Sequence, residues 1–308
     1  MLSYHILKRF FILATMLSGL FMAGLASAER IKVVTSFTIL ADMTRQVAGT
    51  YADVVSITRP GAEIHGYQPT PQDLVQAVDA DLIIYNGFNL EQWMDQFLQQ
   101  LGDIPTVRIS TGIAPIAIDA GVYEGKANPH AWMGLENAYI YIDNIAAALS
   151  DIDPQNKTQY MTNASQYKAR LSARVLPLKA EIAALPEHAR WLVTCEGAFS
   201  YLAADLGMRE LYLWPINADS QATPQQVRRV IDQIRIHDIP VIFCESTVNT
   251  APAEQVARET GIHYGGVLYV DSLSAEDGPV PHYEDLIAVN VNSIKQAIDA
   301  ALAGTQKP

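Results

Sequence analysis

The sequence has few cysteines and few positive charges, and both shortages exclude classes of protein. Its 308 residues include two cysteines, Cys195 and Cys244, so no CxxC pair exists for a zinc knuckle or a thioredoxin-like redox centre. The chain has 21 Lys and Arg against 33 Asp and Glu, a formal net charge of −12 at pH 7. This composition lacks the basic surface that nucleic-acid binding requires. The sequence also has no HExxH motif, a signature of helix-borne zinc hydrolases.

The first 28 residues have the pattern of a secretory signal peptide. Lys8 and Arg9 precede an apolar run of 15 residues, FFILATMLSGLFMAG, and the small residues ASA end at Ala28. The run is shorter than the roughly 20 residues of a membrane-spanning helix, and no cysteine follows it for lipid attachment. We expect cleavage after Ala28 and a periplasmic mature chain that begins at Glu29, with an uncleaved anchor as the alternative. Loss of the two positive charges would change the net charge from −12 to −14.

A pattern of strand, helix, strand, helix and strand occurs twice along the chain. The first copy begins with IKVVTSFTILADMTRQVAG (31–49), has a helix signal Thr-Pro-Gln at 70–72 and ends with DLIIYNG (81–87). The second begins with RWLVTCEGAFSYLAADLG (190–207), has Thr-Pro-Gln at 223–225 and ends with PVIFCES (240–246). Such alternation is typical of parallel sheets covered by helices. We therefore predict an α/β fold with two lobes, each containing a parallel β-sheet.

A long stretch without glycine separates the two copies. It begins with Asp153 as a helix cap and Pro154 in the first turn, and Pro177 is a candidate site for a kink. A helix of about 30 residues spans about 45 Å, which is long enough to run along both lobes. The default ligand site is then the cleft between the lobes. The predicted organisation is a signal peptide over 1–28, an N-terminal lobe over 29–152, a long connecting helix over 153–185 and a C-terminal lobe over 186–308.

Four polar side chains come at or after predicted strand ends. His65 lies in EIHGYQPTPQD, His130 follows IAPIAI, Glu196 ends WLVTCE and Asp271 ends YGGVLYVD. Because α/β proteins bind ligands at the carboxyl ends of their strands, we expect the four to meet in the cleft. Two neutral imidazoles and two carboxylates balance the charge of a divalent cation. Nitrogen and oxygen ligands without sulfur suit manganese or ferrous iron, and zinc is also possible.

Each of these residues also has an interpretation that needs no metal. His65 could lie on a surface loop, and His130 could cap the next helix or stack on Trp132. Glu196 could satisfy a helix N-terminus, and Asp271 could be an N-cap or turn residue. The metal interpretation depends on convergence, since four separate coincidences are otherwise required.

Other residues are weaker candidates. Glu245, which follows VIFC, is either a neighbour of the ligands or a rival ligand. Trp214, Tyr67 and Tyr269 are candidates for the cleft wall or for orienting the ligands by hydrogen bonds. Asp219 is interpreted as a turn residue. Surface or hinge positions are expected for four other histidines: His188, His237, His263 and His282.

These motifs resemble the substrate-binding proteins of ABC transporters that import manganese, iron or zinc. The resemblance covers essentially the whole mature length, through GAEIHGYQPTPQD, NPHAWM, TCEGAFSYLA, LYLWPINADSQATPQQV, FCESTV and GGVLYVDSLS. It implies His65, His130, Glu196 and Asp271 as the ligands. Zinc-importing members tend to have a third histidine in place of Glu196 and a His-rich acidic loop, whereas residues 111–129 contain no histidine. The resemblance is therefore to the manganese/iron branch. One departure is EIH where many relatives have Asp-Pro-His, a change that we expect to alter the loop and not the ligand.

The resemblance also implies a function. The protein would capture the metal outside the inner membrane, close modestly around it and dock, as a monomer, on a membrane permease driven by a cytoplasmic ATPase. No reaction would be catalysed. Two alternatives stay open at this point. A metallohydrolase would use the same ligands with a position kept for water and Glu245 as general base. A surface adhesin is the other, although the sequence shows no stalk, repeat or anchor.

The two cysteines occupy equivalent positions in their strands. Cys195 and Cys244 are each the penultimate residue of a predicted strand that ends in glutamate, VTCE and IFCE. Neighbouring strands lie about 4.8 Å apart, within the Cα separation of roughly 4.4–6.8 Å that a disulfide needs. The expected compartment is oxidising. We predict a disulfide, and two buried free thiols are the alternative.

Overall fold

The first half of the molecule is built on a parallel sheet with four strands. The structure is a computed structural model that describes residues 30–216 and 222–305. We call residues 31–152 the first half and residues 186–305 the second half. The strands of the first half are β1 (Ile31–Thr35), β2 (Ala52–Ser56), β3 (Leu82–Tyr85) and β4 (Thr106–Arg108), in the spatial order β2-β1-β3-β4. Its helices are α1 (Thr38–Ala48), α2 (Pro71–Ala77), α3 (Met94–Gln99) and α4 (Leu135–Ile152).

The second half contains two pairs of parallel strands. They are β5 (Trp191–Glu196) with β6 (Arg209–Trp214), and β7 (Val241–Glu245) with β8 (His263–Leu268). Its helices are α6 (Ser200–Leu206), α7 (Pro224–His237), α8 (Ala251–Thr260) and α9 (Tyr283–Thr305). These elements and those of the first half confirm the predicted α/β class with parallel sheets.

Strands β5 and β7 lie side by side, but in the described residues no ladder of backbone hydrogen bonds joins them. A disulfide between Cys195 and Cys244 links them instead, with a Cα–Cα distance of 4.9 Å, and it confirms the predicted pairing. The backbone N–H of Glu196 donates to the Glu245 carboxylate on β7 at 3.1 Å. The predicted single sheet of this half is therefore two strand pairs joined through side chains.

The two Thr-Pro-Gln helices begin as the sequence indicates. At α2, the Asp73 carboxylate accepts a hydrogen bond from the backbone N–H of Thr70 at 2.7 Å. At α7, Gln226 Oε1 accepts from the backbone N–H of Thr223 at 2.8 Å, and Thr223 Oγ1 accepts from that of Gln226 at 3.3 Å. Both are capping boxes with proline at the first helical position, a combination that satisfies free N–H groups at a helix start.

A long helix, α5 (Lys157–Ala183), connects the halves. It begins four residues later than predicted because Pro154–Asn156 forms a 3₁₀ turn. Asp153, just before this turn, accepts a hydrogen bond from the Tyr160 hydroxyl at 2.6 Å. Its 27 residues span about 40 Å. The helical range continues through Pro177. The helix packs against α1 and α4 from the first half and against α6 and α9 from the second.

One predicted strand is absent, and two other predicted features lie outside the described residues. The strand expected at IAPIAI (113–118) is absent, and a single antiparallel bridge between Ala117 and Ala127 is found there. Pro115 lacks the N–H that a strand ladder needs, which explains this difference. The predicted cleavage site after Ala28 and the turn residue Asp219 are outside the described residues. The boundaries of the two lobes stay a prediction.

A single large core is shared by the two halves. Residues from Ile31 onward form one compact unit, and the main hydrophobic cluster includes Val33 and Ile84 as well as Phe243 and Ile294. A smaller cluster lies within the second half, around the disulfide. Among residues 30–216 and 222–305, no helix has both the length and the apolar run needed to cross a bilayer. The shared core limits how far the halves can move relative to each other.

One pH-dependent contact joins α1 to the start of α9. Asp42 is buried and accepts hydrogen bonds from the backbone N–H of Tyr283 and from His282 Nδ1, both at 2.9 Å. The hydrogen bond to Asp42 raises the pKa of His282. A raised folded-state pKa stabilises the folded protein below the unfolded pKa of about 6.5, and this contribution is lost as the pH rises through the folded pKa.

We therefore expect His282→Gln to lower the melting temperature more at about pH 5.5 than at about pH 9. Thermal melts of wild type and variant across this range measure the difference. His263→Gln, at an exposed histidine that begins β8, serves as the matched control. If His282→Gln lowers the melting temperature equally at both pH values, protonation of His282 does not contribute to the stability that the Asp42 contact provides.

Candidate metal centre

The structure brings three of the four predicted ligands, His65, His130 and Asp271, together in one buried cluster, and Glu196 lies beside His65 at its edge. His65 Nε2 lies 3.2 Å from His130 Nε2 and 3.7 Å from Glu196 Oε1. His130 Nε2 lies 3.3 Å from Asp271 Oδ1. His65 is 4% exposed and Asp271 1%, while His130 and Glu196 are fully buried. Two of the four residues belong to each half of the molecule.

The loop before His65 is fixed by an acidic side chain. The carboxylate of Glu63 accepts hydrogen bonds from the backbone N–H of His65 at 2.5 Å and of Gly66 at 2.7 Å. The indole N–H of Trp93 donates to the carbonyl of Ile64 at 3.3 Å. Glu63 is the residue that begins the EIH segment. Its carboxylate holds the turn that presents the imidazole.

His130 is held from two sides. Asn128 Oδ1 accepts from the backbone N–H of His130 at 3.1 Å and lies 2.8 Å from its Nδ1. The ring of Trp132 packs edge-on against the imidazole, with centroids 5.3 Å apart. The indole N–H of Trp132 donates to the carbonyl of Val270 at 3.1 Å. Trp132 therefore connects His130 to the residue that precedes Asp271.

The two candidate carboxylate ligands come from the second half. Glu196 is the last residue of β5, while Asp271 follows the end of β8 by three residues, so the predicted strand through Asp271 is shorter than expected. Thr247 Oγ1 donates to Asp271 Oδ2 at 3.3 Å. Among the described residues, the buried Asp271 Oδ1 has no hydrogen-bond donor in ordinary geometry. An acceptor left in this state is suited to a cation.

The protonation states of the centre also suit a cation. Burial lowers the pKa of His65 to about 4, against an opposing effect of Asp271, so the imidazole is neutral near pH 7. Burial alone would raise the pKa of Asp271, but the neighbouring imidazoles of His130 and His65 hold it below its usual range. A neutral imidazole and an ionised carboxylate are the forms that bind metals. No proton has to leave either group before a metal binds near neutral pH.

Glu245 has a different role from the four. It is fully buried, and burial raises its pKa to about 8, so it carries a proton at pH 7. Its carboxyl group accepts from the backbone N–H of Glu196 and lies beside the disulfide. The two cysteines nearby are bonded to each other and are not free to act as ligands. We therefore interpret Glu245 as a support for the backbone that carries Glu196.

Two of the three separations given for the centre match those of atoms that share a metal, and the third, 3.7 Å from His65 Nε2 to Glu196 Oε1, is longer. Two ligand atoms about 2.1 Å from a common ion, at angles of about 90–110°, lie about 3.0–3.4 Å apart. The observed distances of 3.2 Å between the two Nε2 atoms and 3.3 Å from His130 Nε2 to Asp271 Oδ1 are in this range. The arrangement can therefore hold one divalent cation with nitrogen and oxygen donors.

The weaker candidates do not orient the ligands through the hydrogen bonds observed. The Tyr67 hydroxyl donates to Asp73 at 3.0 Å, and the backbone of Tyr269 pairs with Asn290. Asn128 and Thr247 contact the ligands instead, and sequence reasoning did not single them out. The position of Asn128, two residues before His130 in NPH, is the one signal that could have indicated it.

A cavity adjoins the centre on the side of His65. Its volume is about 380 Å³, and its lining includes Phe88, Tyr123, Lys126 and Ile216 as well as His65. His65 has the largest exposed fraction of the four candidate ligands. An ion that approaches through this cavity would therefore meet His65 first.

The parallel sheets of the two halves are connected by one long helix, and buried imidazoles from the first half meet a carboxylate from the second, an arrangement that suits a metal-binding protein. The sequence profile described as "Zinc-uptake complex component A periplasmic" (ZnuA) matches residues 33–297, and the chain belongs to this family. Such a component binds its substrate without converting it. The chain is therefore a binding protein and not an enzyme, which removes the metallohydrolase alternative.

Named relatives and solved structures agree with this membership. The iron-binding protein YfeA of Yersinia pestis is 54% identical over 268 residues, which cover 87% of this chain and 86% of YfeA. The iron ABC transporter substrate-binding lipoprotein MtsA of Streptococcus pyogenes serotype M1 is 33% identical over 280 residues, covering 89% and 90% of the two chains. The manganese-bound periplasmic metal-binding protein of Candidatus Liberibacter asiaticus aligns with a TM-score of 0.81 and 40% identity, covering 87% of this chain and 100% of that one.

Proposed function

We propose that the protein captures manganese or ferrous iron in the periplasm through His65, His130, Glu196 and Asp271 and delivers it to an ABC permease. The observation that carries this proposal is the convergence of the buried side chains of His65, His130 and Asp271, with Glu196 beside His65. The separations of His130 Nε2 from His65 Nε2 and from Asp271 Oδ1 are those expected around a shared ion. The shifted pKa values leave His65 neutral and Asp271 ionised near pH 7, the forms that bind metals. The family supports metal uptake as the purpose of the binding.

The donor atoms favour manganese or iron as the cargo. Both cysteines are in the disulfide, so the centre offers nitrogen and oxygen donors without a thiolate. A bidentate carboxylate would raise the coordination number above four, which suits manganese and iron. YfeA and MtsA are named for iron and the Liberibacter protein was solved with manganese, which supports the same pair. Affinity generally rises from manganese through iron toward zinc, so we expect zinc to bind at least as tightly in vitro.

The division of the ligands between the halves suggests how the metal is released. His65 and His130 belong to the first half, and Glu196 and Asp271 belong to the second. A small separation of the halves would move the two carboxylates away from the two imidazoles. Neither the carboxylate pair nor the imidazole pair alone would then bind the ion tightly enough to retain it. The shared core limits this motion, so docking on the permease would supply the energy for the separation.

The compartment and the partner follow from the same proposal. We infer export through residues 1–28, cleavage after Ala28 and docking, as a monomer, on an inner-membrane permease with a cytoplasmic ATPase. Loss of Lys8 and Arg9 by this cleavage changes the net charge from −12 to −14, which would raise the concentration of cations near the surface of the mature chain. Intact mass of the exported protein tests the cleavage directly.

The test of the function is elemental analysis of the protein purified from its native compartment without added metal or chelator. We expect about one manganese or iron ion per chain, because the centre presents one set of four ligands. The double variant His65→Ala, Asp271→Ala, purified in parallel, should contain none. A wild-type protein that carries no transition metal, or that carries zinc alone, contradicts the proposed cargo.

A further inference from the structure

The side-chain amide of Asn128 makes hydrogen bonds to both halves of the metal centre. Its Oδ1 atom accepts from the backbone N–H of His130 at 3.1 Å and lies 2.8 Å from His130 Nδ1. Its Nδ2 atom donates to the carbonyl of Gly197 at 2.7 Å and to Ser200 Oγ at 3.1 Å. Asn128 is 2% exposed. Gly197 directly follows Glu196, so one amide contacts a candidate ligand and the neighbour of another.

The partners fix which way the amide points. A carbonyl oxygen cannot donate, so the end that faces Gly197 O is the NH₂ group, and the end that faces His130 is the oxygen. This oxygen can only accept, and it therefore places the proton of the His130 imidazole on Nδ1. The lone pair is left on Nε2, which faces His65 and Asp271. Such a partner fixes the tautomer and the ring orientation of a metal-binding histidine.

The segment that carries Asn128 is fastened to the second half at both of its ends. We call residues 116–128 the crossing segment. At its start, the backbone N–H of Ile116 donates to the Tyr201 hydroxyl at 3.0 Å. At its end, the same hydroxyl donates to the carbonyl of Asn128 at 2.8 Å. The Asn128 amide is the part of this segment that also touches His130.

We propose that Asn128 is a positioning residue that couples His130 to the loop after Glu196. One amide then sets both the direction of an imidazole in the first half and its distance from a carboxylate in the second half. The inference rests on the proposed metal-capture function. It predicts that Asn128 controls metal affinity although it does not touch the metal.

The experiment compares three single variants in Mn²⁺ competition titrations. Asn128→Ala removes all four hydrogen bonds of the amide, and the dissociation constant is expected to rise by about 10–100-fold. Asn128→Asp keeps an acceptor for His130 but turns a carboxylate toward Gly197 O, so it is expected to weaken binding by about tenfold. Asn144→Ala is the matched control, because the Asn144 amide donates to the carbonyls of Ile109 and Thr111 away from the centre.

A second measurement separates positioning from a general loss of structure. Nitrogen-15 NMR of the metal-free protein reports the His130 tautomer, which we expect to be the Nδ1–H form in wild type and Asn128→Asp and a mixture in Asn128→Ala. The isosteric Asn128→Asp keeps the side-chain volume, so its weaker binding with an unchanged tautomer would isolate the link to Gly197.

The outcomes also separate this inference from the proposed function. His130→Ala and Asp271→Ala are measured alongside, and retained Mn²⁺ binding in both would defeat the proposed function itself. If both lose binding while Asn128→Ala and Asn128→Asp match Asn144→Ala, the metal site stands and the positioning role of Asn128 is overturned. If Asn128→Asp binds as wild type while Asn128→Ala does not, the coupling to the second half is overturned.

Discussion

Replacement of Asp271 by alanine is expected to abolish the metal-induced rise in melting temperature. A ligand that binds only the folded state stabilises it by about 4 kcal/mol at a concentration 1,000 times the dissociation constant. Asp271 is buried beside His130 Nε2, and its Oδ1 atom points to the place where the imidazoles meet. Its removal takes away a charged ligand that no neighbour replaces. Glu196→Ala is expected to act in the same direction.

The measurement is a melting series with manganese, ferrous iron and zinc on wild type and each variant. The quantity compared is the rise within one protein between its metal-free and metal-loaded forms, so a change in the stability of the metal-free variant does not affect it. Glu124→Ala removes an exposed carboxylate on the crossing segment and serves as the control. If Glu196→Ala and Asp271→Ala both keep the full rise, these carboxylates are not ligands.

Removal of the disulfide by the double change Cys195→Ala, Cys244→Ala is expected to lower the free energy of unfolding by about 4 kcal/mol. The bond joins two residues that are 49 apart in the sequence. A cross-link over this distance lowers the conformational entropy of the unfolded chain, which stabilises the folded state by about 4 kcal/mol. The effect reaches the metal centre, since the bond joins β5 and β7 immediately before Glu196 and Glu245. We therefore expect weaker metal binding as well as lower stability.

Chemical denaturation of the oxidised wild type and the double variant measures this difference. Wild type held in a reducing agent is the companion sample, and it should approach the stability of the variant. Thiol titration of the denatured, unreduced wild type should find no free thiols. Two titrated thiols, or a loss of stability below about 1 kcal/mol, would contradict a structural disulfide.

Local patterns explain why much of the fold could be predicted. The capping boxes at Thr70 and Thr223 are short-range features, and each marks its helix start to the residue. Cys195 and Cys244 occupy the same place in two strands, which allowed the disulfide to be predicted from position alone. The places of Glu196 and Asp271 followed from the strand pattern, because Glu196 ends β5, Asp271 lies three residues past β8, and parallel sheets gather such ends at one edge. The strand expected before His130 is absent, so the contact of His130 with His65 does not follow from a strand end.

The missed features depend on contacts between distant parts of the chain. The apolar alternation of 113–118 resembles a strand, but Pro115 and the absence of a neighbouring strand leave a single bridge. The role of Asn128 requires Gly197, which is 69 residues away. The core shared by the halves depends on which helices α5 packs against, and the hydrophobic periodicity of a sequence does not show this.

The most direct test of the proposed metal centre is anomalous diffraction from crystals of the manganese-loaded protein at the manganese absorption edge. We predict one strong peak within about 2.0–2.6 Å of His65 Nε2, His130 Nε2 and the carboxylate oxygens of Glu196 and Asp271. A peak elsewhere on the chain would contradict the assignment. A peak within bonding distance of fewer than three of these four side chains would also contradict it.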